Sequence, residues 1–247
     1  MQFTILRFDS LSSTNDEAAR QAKSGAQEGL CIVARQQTKG RGRRERVWFS
    51  PADAGLYFSL ILKPKFERQK LPLITLAAAI SVSDAVKEAC DLQTDIKWAN
   101  DIHASGKKLS GILAEAVETQ KEITVVLGIG INLKNDAIAP ELAEIATSIE
   151  NEIGKQPDIE KLLVRLTKNL QKNYEILHQT NGSEKTIQAW TERSSYAFGK
   201  RVQVTLENET FEGETCGLET TGALRVLAEN GLIKTIHAGD VISLRRQ

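Results

Sequence analysis

The chain has 247 residues, 41% of them hydrophobic and 26% charged, with basic and acidic side chains balanced at 32 each. That is ordinary for a globular protein able to bury a real core. Zero net charge argues against a dedicated nucleic-acid binder, which carries a basic excess. Three widely spaced cysteines (Cys31, Cys90, Cys216), with no Cys-x-x-Cys pair, give neither a disulfide framework nor a zinc site. The N-terminus lacks an apolar signal core and no stretch is long and apolar enough to span a bilayer, so reducing cytoplasm is the expected compartment.

Residues 1–8 alternate (Phe3, Ile5, Phe8) as a strand does. Ser12-Ser13-Thr14-Asn15 before Asp16-Glu17-Ala18-Ala19 is a helix start: hydroxyl and amide groups cap the free N–H groups, and acids follow in the first turn. Such a start is most simply a cap, but spare hydroxyls at a helix N-terminus can also hold a carbonyl or an anion. Gly25 and Gly29 end that helix, and Leu30–Arg35 reads as a buried strand leading to Gln37.

Next comes the segment on which the chain turns, Gly40-Arg41-Gly42-Arg43-Arg44-Glu45-Arg46-Val47-Trp48. Glycine lets backbone N–H groups approach a ligand, and guanidinium forks match carboxylate and phosphate oxygens. The segment suits a loop closing over an anion, though short Arg/Gly runs are also common as solvated surface. Neither a Gly-Lys-Ser/Thr phosphate loop nor a dinucleotide fingerprint is present. A strand over Leu56–Leu62, stopped by Pro64, follows. Trp48 and Phe49 then anchor the far end of the loop.

A helix runs from Pro72 to about Ala89, followed by the short strand Ile96-Lys97-Trp98-Ala99-Asn100-Asp101-Ile102, whose polar residues must pair or bind something if buried. A turn at residues 104–107 delivers Lys108, beside Ser110 and Gly111, to the mouth of another strand. In Thr124–Asn132 glycines alternate, so Gly128 and Gly130 bare one face, shared with Asn132, on which a flat ligand or another backbone could lie. Asp136–Ser148 is polar and reads as a surface crossing. Pro157–His178 is an amphipathic helix whose stripe is core packing, and Glu184–Arg193 a last short helix. From Arg201 short alternating strands with tight turns indicate a small antiparallel barrel. The expected architecture is α+β, with a mixed-sheet domain over 1–193 and a barrel over 194–247.

Taken together, Ser13-Thr14-Asn15, Gln37 through Arg44, Trp48-Phe49-Ser50-Pro51, Lys97 through Asp101, Lys108 through Leu113, Gly128 through Asn132 and the closing Gly239-Asp240-Val241-Ile242-Ser243-Leu244 resemble the bacterial biotin–protein ligases. The likeness spans essentially the whole chain. It implies a biotin/lipoate-ligase catalytic domain with an SH3-like C-terminal barrel, and activation of biotin by MgATP to biotinyl-5′-AMP. Transfer to a lysine of the biotin carboxyl carrier protein of acetyl-CoA carboxylase would follow. By that resemblance Ser13, Thr14, Asn15 and Gln37 flank the biotin ring, while Gly40, Arg41, Gly42 and Arg43 fold over biotin and its adenylate. Gly111, Gly128 and Gly130 leave room for the rings. Lys108 engages carboxylate and phosphoryl oxygens as the main catalyst, assisted by Arg41 and Arg43. Trp48, Asn100, Asp101 and Asn132 belong to the nucleotide side, with Asp101 the candidate Mg²⁺ ligand.

Two departures from the family pattern stand out: Glu45 where glycine is usual, and Ala99 where proline is usual. The helix-turn-helix domain of some relatives is missing, which implies a ligase without DNA binding, monomeric or homodimeric. The neighbouring reading is a lipoate–protein ligase or octanoyltransferase on the same fold. A non-enzymatic RNA binder using Arg41–Arg46 is disfavoured by the zero net charge.

Overall fold

The computed structural model describes residues 1–119 and 123–244. Strand β1 (Thr4–Leu11) is followed by helix α1 (Thr14–Lys23) and returns as β2 (Leu30–Gln37), parallel to β1. This βαβ unit makes the sheet mixed, because every other pairing in it is antiparallel. Strands β3 (Gly55–Leu62), β4 (Asp95–Lys97), β5 (Asp101–Ala104), β6 (Lys107–Glu118) and β7 (Ile123–Asn132) complete seven strands in the order β1-β2-β3-β7-β6-β5-β4. The first strand begins and ends three residues later than its alternation alone indicated, since its pairing to β2 runs from Thr4 to Leu11.

One sheet face is covered by α2 (Pro72–Cys90), α4 (Ile159–Leu177) and α5 (Gly182–Thr191). These three helices share a continuous core with Phe58, Leu60, Leu127 and Ile129 of the sheet. The opposite face carries α1, which seals Ala18 and Ala22 against Ile32, Ile61 and Val126. Only part of this second face is covered, and the rest is where the site lies. A one-turn helix, α3 (Ile149–Ile153), unmarked by any sequence period, precedes α4.

Beyond α5, β8 (Phe198–Thr205), β9 (Thr210–Leu218), β10 (Leu224–Ala228), β11 (Ile233–Ile236) and β12 (Asp240–Ser243) form an antiparallel sheet in the order β11-β10-β9-β8-β12. A sheet so small buries too little apolar area to stand alone comfortably. It shares its core with the larger unit: Val202, Val204, Leu224, Val226 and Val241 belong to the same apolar cluster as α2 and the main sheet. Polar contacts tie the seam as well. Trp98 Nε1 donates to Gly222 O at 2.9 Å, and Ser194 Oγ to Ile96 O at 2.6 Å.

Candidate active site

The site is built on the bared sheet face, between the N-terminus of α1 and the β4–β5 hairpin. Ser13 caps α1, its Oγ accepting from Asp16 N at 3.4 Å. Thr14 donates from both its N and its Oγ1 to Gln37 Oε1, at 2.8 and 3.1 Å. Gln37 passes the chain on, donating to Ser50 Oγ at 2.9 Å. Ser59 is the one serine in the fully buried and largely apolar run of β3; it donates to Asn15 Oδ1 at 2.6 Å and lies 2.8 Å from Thr14 Oγ1. A helix start alone does not need this network, which holds the side chains of Thr14, Asn15 and Gln37 rigidly at the cavity wall.

The arginine segment is a hairpin-like lid. Trp48 N donates to Gly40 O at 2.9 Å and Gly42 N to Arg46 O at 2.7 Å, with a short 3-10 turn over Arg43–Glu45 at the tip. Its arginines are engaged within the protein. Arg41 makes a double hydrogen bond with Glu115 at 2.9 and 2.8 Å and a further ion pair with Asp16 at 2.9 Å. Burial draws the Arg41 proton affinity down, but Glu115 and Asp16 raise it more, and the net shift is upward. Arg43 donates to Asn100 Oδ1 at 2.7 Å, and Asn100 in turn donates to Ile112 O at 2.9 Å. Burial, opposed by Asp101 and reinforced by Arg44, lowers the Arg43 pKa; a guanidinium stays charged nonetheless. Arg44 and Arg46 converge on Asp240 of β12, at 2.9 and 2.7 Å.

Glu45 therefore does not neutralise its neighbours; among the described residues it makes no ion pair. Arg44 and Glu45 both sit at left-handed φ, 54° and 60°. Residues with a Cβ resist that region at a cost of about 1–2 kcal/mol each, so a glycine at position 45 would be the less strained choice.

The glycine floor is used differently from the sequence expectation. A Cβ on Gly128 would run into the side chain of Asn15, so this glycine seats Asn15 rather than leaving open room for a ligand. A Cβ on Gly130 would come within 2.5 Å of the Trp48 indole, and one on its cross-strand partner Gly111 within 3.0 Å. Trp48 thus lies flat over the Gly111–Gly130 pair, its Nε1 buried with no hydrogen-bond acceptor. It does tie the lid to the sheet, as expected, but it does so by covering the floor itself.

Lys108 Nζ stands 5.6 Å from the centre of the Trp48 ring, within cation–π range. It is also 2.7 Å from Asp101 Oδ1. That ion pair is the polar contact this buried oxygen makes among the described residues. The Lys108 backbone is pinned from the far side: its N donates to Ile145 O at 2.8 Å and its O accepts from Thr147 N at 2.9 Å. Residues 136–148 are accordingly not a mere surface crossing. Ala137, Ala139, Leu142 and Ile145 form an apolar wall of the cavity, and Asn132 fixes the base of that wall by donating to Thr147 O at 3.0 Å.

Enclosed by these groups is a cavity of about 270 Å³. Every residue given a binding or catalytic role from the resemblance lines it except Gly40, which supports the lid from below: a Cβ there would meet Trp48 O and Ser50 Oγ. Sequence reasoning missed Glu115, Asp16, Asp240 and Ser59. Ser59 had a local signal, a hydroxyl interrupting an apolar strand. Asp16 and Asp240 stood in segments already noted, but nothing local marked them or Glu115 as partners of the lid arginines, one of which lies 196 residues from its carboxylate.

The Biotin/lipoate A/B protein ligase family profile matches residues 7–132, and the Biotin protein ligase C terminal domain profile residues 197–243. The bifunctional ligase/repressor BirA of Bacillus subtilis is 38% identical over 241 residues, covering 96% of this chain and 73% of that protein. The chain belongs to the biotin/lipoate A/B protein ligase family. Another member, the biotin–[acetyl-CoA-carboxylase] ligase of Mycobacterium tuberculosis, is 32% identical over 94% of this chain and 86% of its own length. Among solved structures, a biotin protein ligase from Aquifex aeolicus in complex with biotin and ATP superimposes with a TM-score of 0.84 at 31% identity, covering 98% of this chain and 99% of that one. Within this family the Glu45 position is the feature most in need of a physical account, and the left-handed backbone of the lid tip supplies it.

Proposed function

We propose that this chain is a biotin–protein ligase: it activates biotin with MgATP to biotinyl-5′-AMP and transfers the biotinyl group to a lysine of the biotin carboxyl carrier protein of acetyl-CoA carboxylase. The observation that carries this reading is Lys108, held beside Asp101 and over Trp48 at the wall of a cavity that an arginine lid closes. In the first step a biotin carboxylate oxygen attacks the α-phosphate and pyrophosphate leaves. In the second a lysine amine attacks the acyl carbon of the mixed anhydride and AMP leaves. Negative charge builds on phosphoryl oxygens in the first step and on the acyl oxygen in the second. Fixed cation donors aimed there supply most of the acceleration.

The side chains divide that work as follows. Ser13, Thr14 and Gln37 offer hydrogen-bonding groups to the ureido ring, and their mutual bonds hold them ready. Asn15 backs this wall from its seat on Gly128. Lys108 meets the carboxylate and α-phosphoryl oxygens. Arg41, tied to Glu115 and Asp16, holds the lid at its biotin end, while Arg43 and Asn100 clasp it over the adenylate. Trp48, Gly111 and Gly130 form a flat surface on which rings can stack. Asn132 supports the nucleotide side through Thr147.

Among the described residues no cluster of three metal-ligating side chains exists. Mg²⁺ commonly binds through one or two carboxylates, with phosphate and water completing its shell. Asp101, a carboxylate lining the cavity and ion-paired there to Lys108, fits that single role toward a nucleotide-borne ion. The ion would screen charge on the phosphates. We divide the chain functionally at 193/194, with the C-terminal sheet contributing Asp240 to the lid. The setting is cytoplasmic on this reading, and the described residues contain no helix long and apolar enough to cross a membrane.

The test is to mix the protein with biotin, MgATP and a carrier domain, following pyrophosphate release and the mass of the carrier. One biotin added to one lysine is the expected result. Activity with lipoate and none with biotin would assign the protein to lipoate ligation instead.

A further inference from the structure

Two parts of the site, the wall at the start of α1 and the root of the lid, meet on one side chain. Glu115 stands on β6, where alternate residues project from one face. It therefore shares a side with Gly111 and Leu113, which line the cavity, and itself stands just behind that lining. Only its carboxylate reaches the groups that matter.

Glu115 Oε2 accepts from Asn15 Nδ2 at 2.8 Å and from Arg41 at 2.8 Å, while Oε1 accepts from Arg41 at 2.9 Å. The Asn15 amide has no freedom to flip. Its nitrogen faces two oxygens that only accept, Glu115 Oε2 and Leu113 O at 3.3 Å, and its oxygen faces the Ser59 hydroxyl at 2.6 Å. Asp16 is the other carboxylate on Arg41, and among the described residues its side chain bonds that guanidinium alone. Glu115 is thus the group that serves both wall and lid. Both members of the Arg41–Glu115 pair are partly exposed, and such a pair adds little to global stability. Fixing a glutamate side chain costs rotamer freedom. Whichever partner holds the carboxylate first meets that cost, and the second finds the carboxylate in place, so each contact favours the other.

We propose that Glu115 is a positioning residue that couples the ring pocket to the lid: one carboxylate sets the Asn15 amide and the Arg41 guanidinium together, so that ordering either favours the other. This rests on the ligase reading above. Glu115 takes no part in the chemistry, since no bond forms or breaks at it and no proton leaves it. A ring that settles against Asn15 steadies the carboxylate. The steadied carboxylate holds Arg41, and with it the root of the lid, over the bound ring. The link also runs the other way: a displaced lid loosens the wall.

The experiment uses the full chain as wild type, Asn15→Ala, Glu115→Gln, Glu115→Asp and the double variant of Asn15→Ala with Glu115→Gln. Trypsin cleavage within residues 41–47 is timed without ligand, and biotin affinity is measured by calorimetry. Asn15 bonds no lid residue among those described, yet Asn15→Ala should speed cleavage several-fold in the wild type and add nothing to Glu115→Gln. Glu115→Gln should weaken biotin binding about tenfold, as loss of a charge-assisted contact does. The KM for biotin should rise more than kcat falls, with the melting temperature held. Glu115→Asp keeps the charge but is one methylene short of spanning both partners, and should lose the coupling as well. Equal acceleration by Asn15→Ala with and without Glu115→Gln would overturn the proposal, as would a Glu115→Gln protein that binds biotin like wild type. A melting temperature that falls in step with affinity would also overturn it, since Glu115 would then serve the fold. A wild type that binds no biotin would defeat the ligase reading instead, and the ligand-free cleavage comparison would still decide Glu115.

Discussion

Lys108 is held on every side: by Asp101, by the Trp48 ring and by two backbone hydrogen bonds to the 145–147 segment. A cation so constrained acts as preorganised charge. Lys108→Met should therefore cut the rate of adenylate formation by roughly 10²–10³ while leaving the melting temperature nearly unchanged, as stopped-time pyrophosphate release and calorimetry would check. Gly130→Ala tests the floor. The new methyl would come within 2.5 Å of the Trp48 indole, and overpacking of that kind costs about 1–3 kcal/mol. The ring should be displaced, which a red shift of tryptophan emission would report, and the lid should close less tightly on biotin. Glu45→Gly should act in the opposite sense. It removes a left-handed φ of 60° from a residue with a Cβ and should lower the KM for biotin a few-fold, measured in steady state. Of these residues Gly130 was legible because strand alternation tells which side chains share a face, and Lys108 through its place in a family motif. The pairing of Arg41 with Glu115, 74 residues apart, was not, since no periodicity carries information about which charges meet in space.

At the scale of elements, the strands and long helices follow their hydrophobic periods closely. α4 occupies Ile159–Leu177 within the expected 157–178, begun by Asp158, which accepts from Lys161 N at 2.9 Å. The wall over 136–148 escaped notice for a physical reason. Its apolar residues, Ala137, Ala139, Leu142 and Ile145, follow neither period because the backbone runs through two single 3-10 turns. The lid is the element with most to reveal. Two of its arginines share one carboxylate from β12, all three groups partly exposed, and such pairs are individually worth about 0–1 kcal/mol. Asp240→Asn should leave global stability almost untouched yet release the tip of the lid. Faster proteolytic cutting within 41–47 and faster loss of bound adenylate, followed by acid quench, would bear this out. Arg43→Gly removes the clasp to Asn100 and should leak adenylate about tenfold faster, labelling bystander lysines as it does. Retention of adenylate as in wild type would count against that role.

For the whole molecule, the two sheets behave as one body because a continuous apolar core runs through both. The seam also concentrates ionisable groups, and this gives stability a pH dependence. His103 is half-buried near Lys97, and burial first, then that lysine, lower its pKa from the ordinary 6.5. Its neutral form is the one the fold accommodates. The stability it contributes is present above 6.5 and is lost as pH falls through the depressed folded value. Unfolding in denaturant at stepped pH should show that decline, and His103→Gln should flatten it. The organisation into a larger mixed-sheet unit and a small antiparallel one could be read from where strand lengths shorten and turns crowd together. Their fusion could not, since it depends on which apolar residues of each remain uncovered. That fusion has a consequence in time. The carboxylate that fastens Arg44 and Arg46 lies 196 and 194 residues further along, so a growing polypeptide makes its lid early and the fastening late. The cavity walls are complete once residue 146 has been made, whereas the tip of the lid gains this fastening only after residue 240.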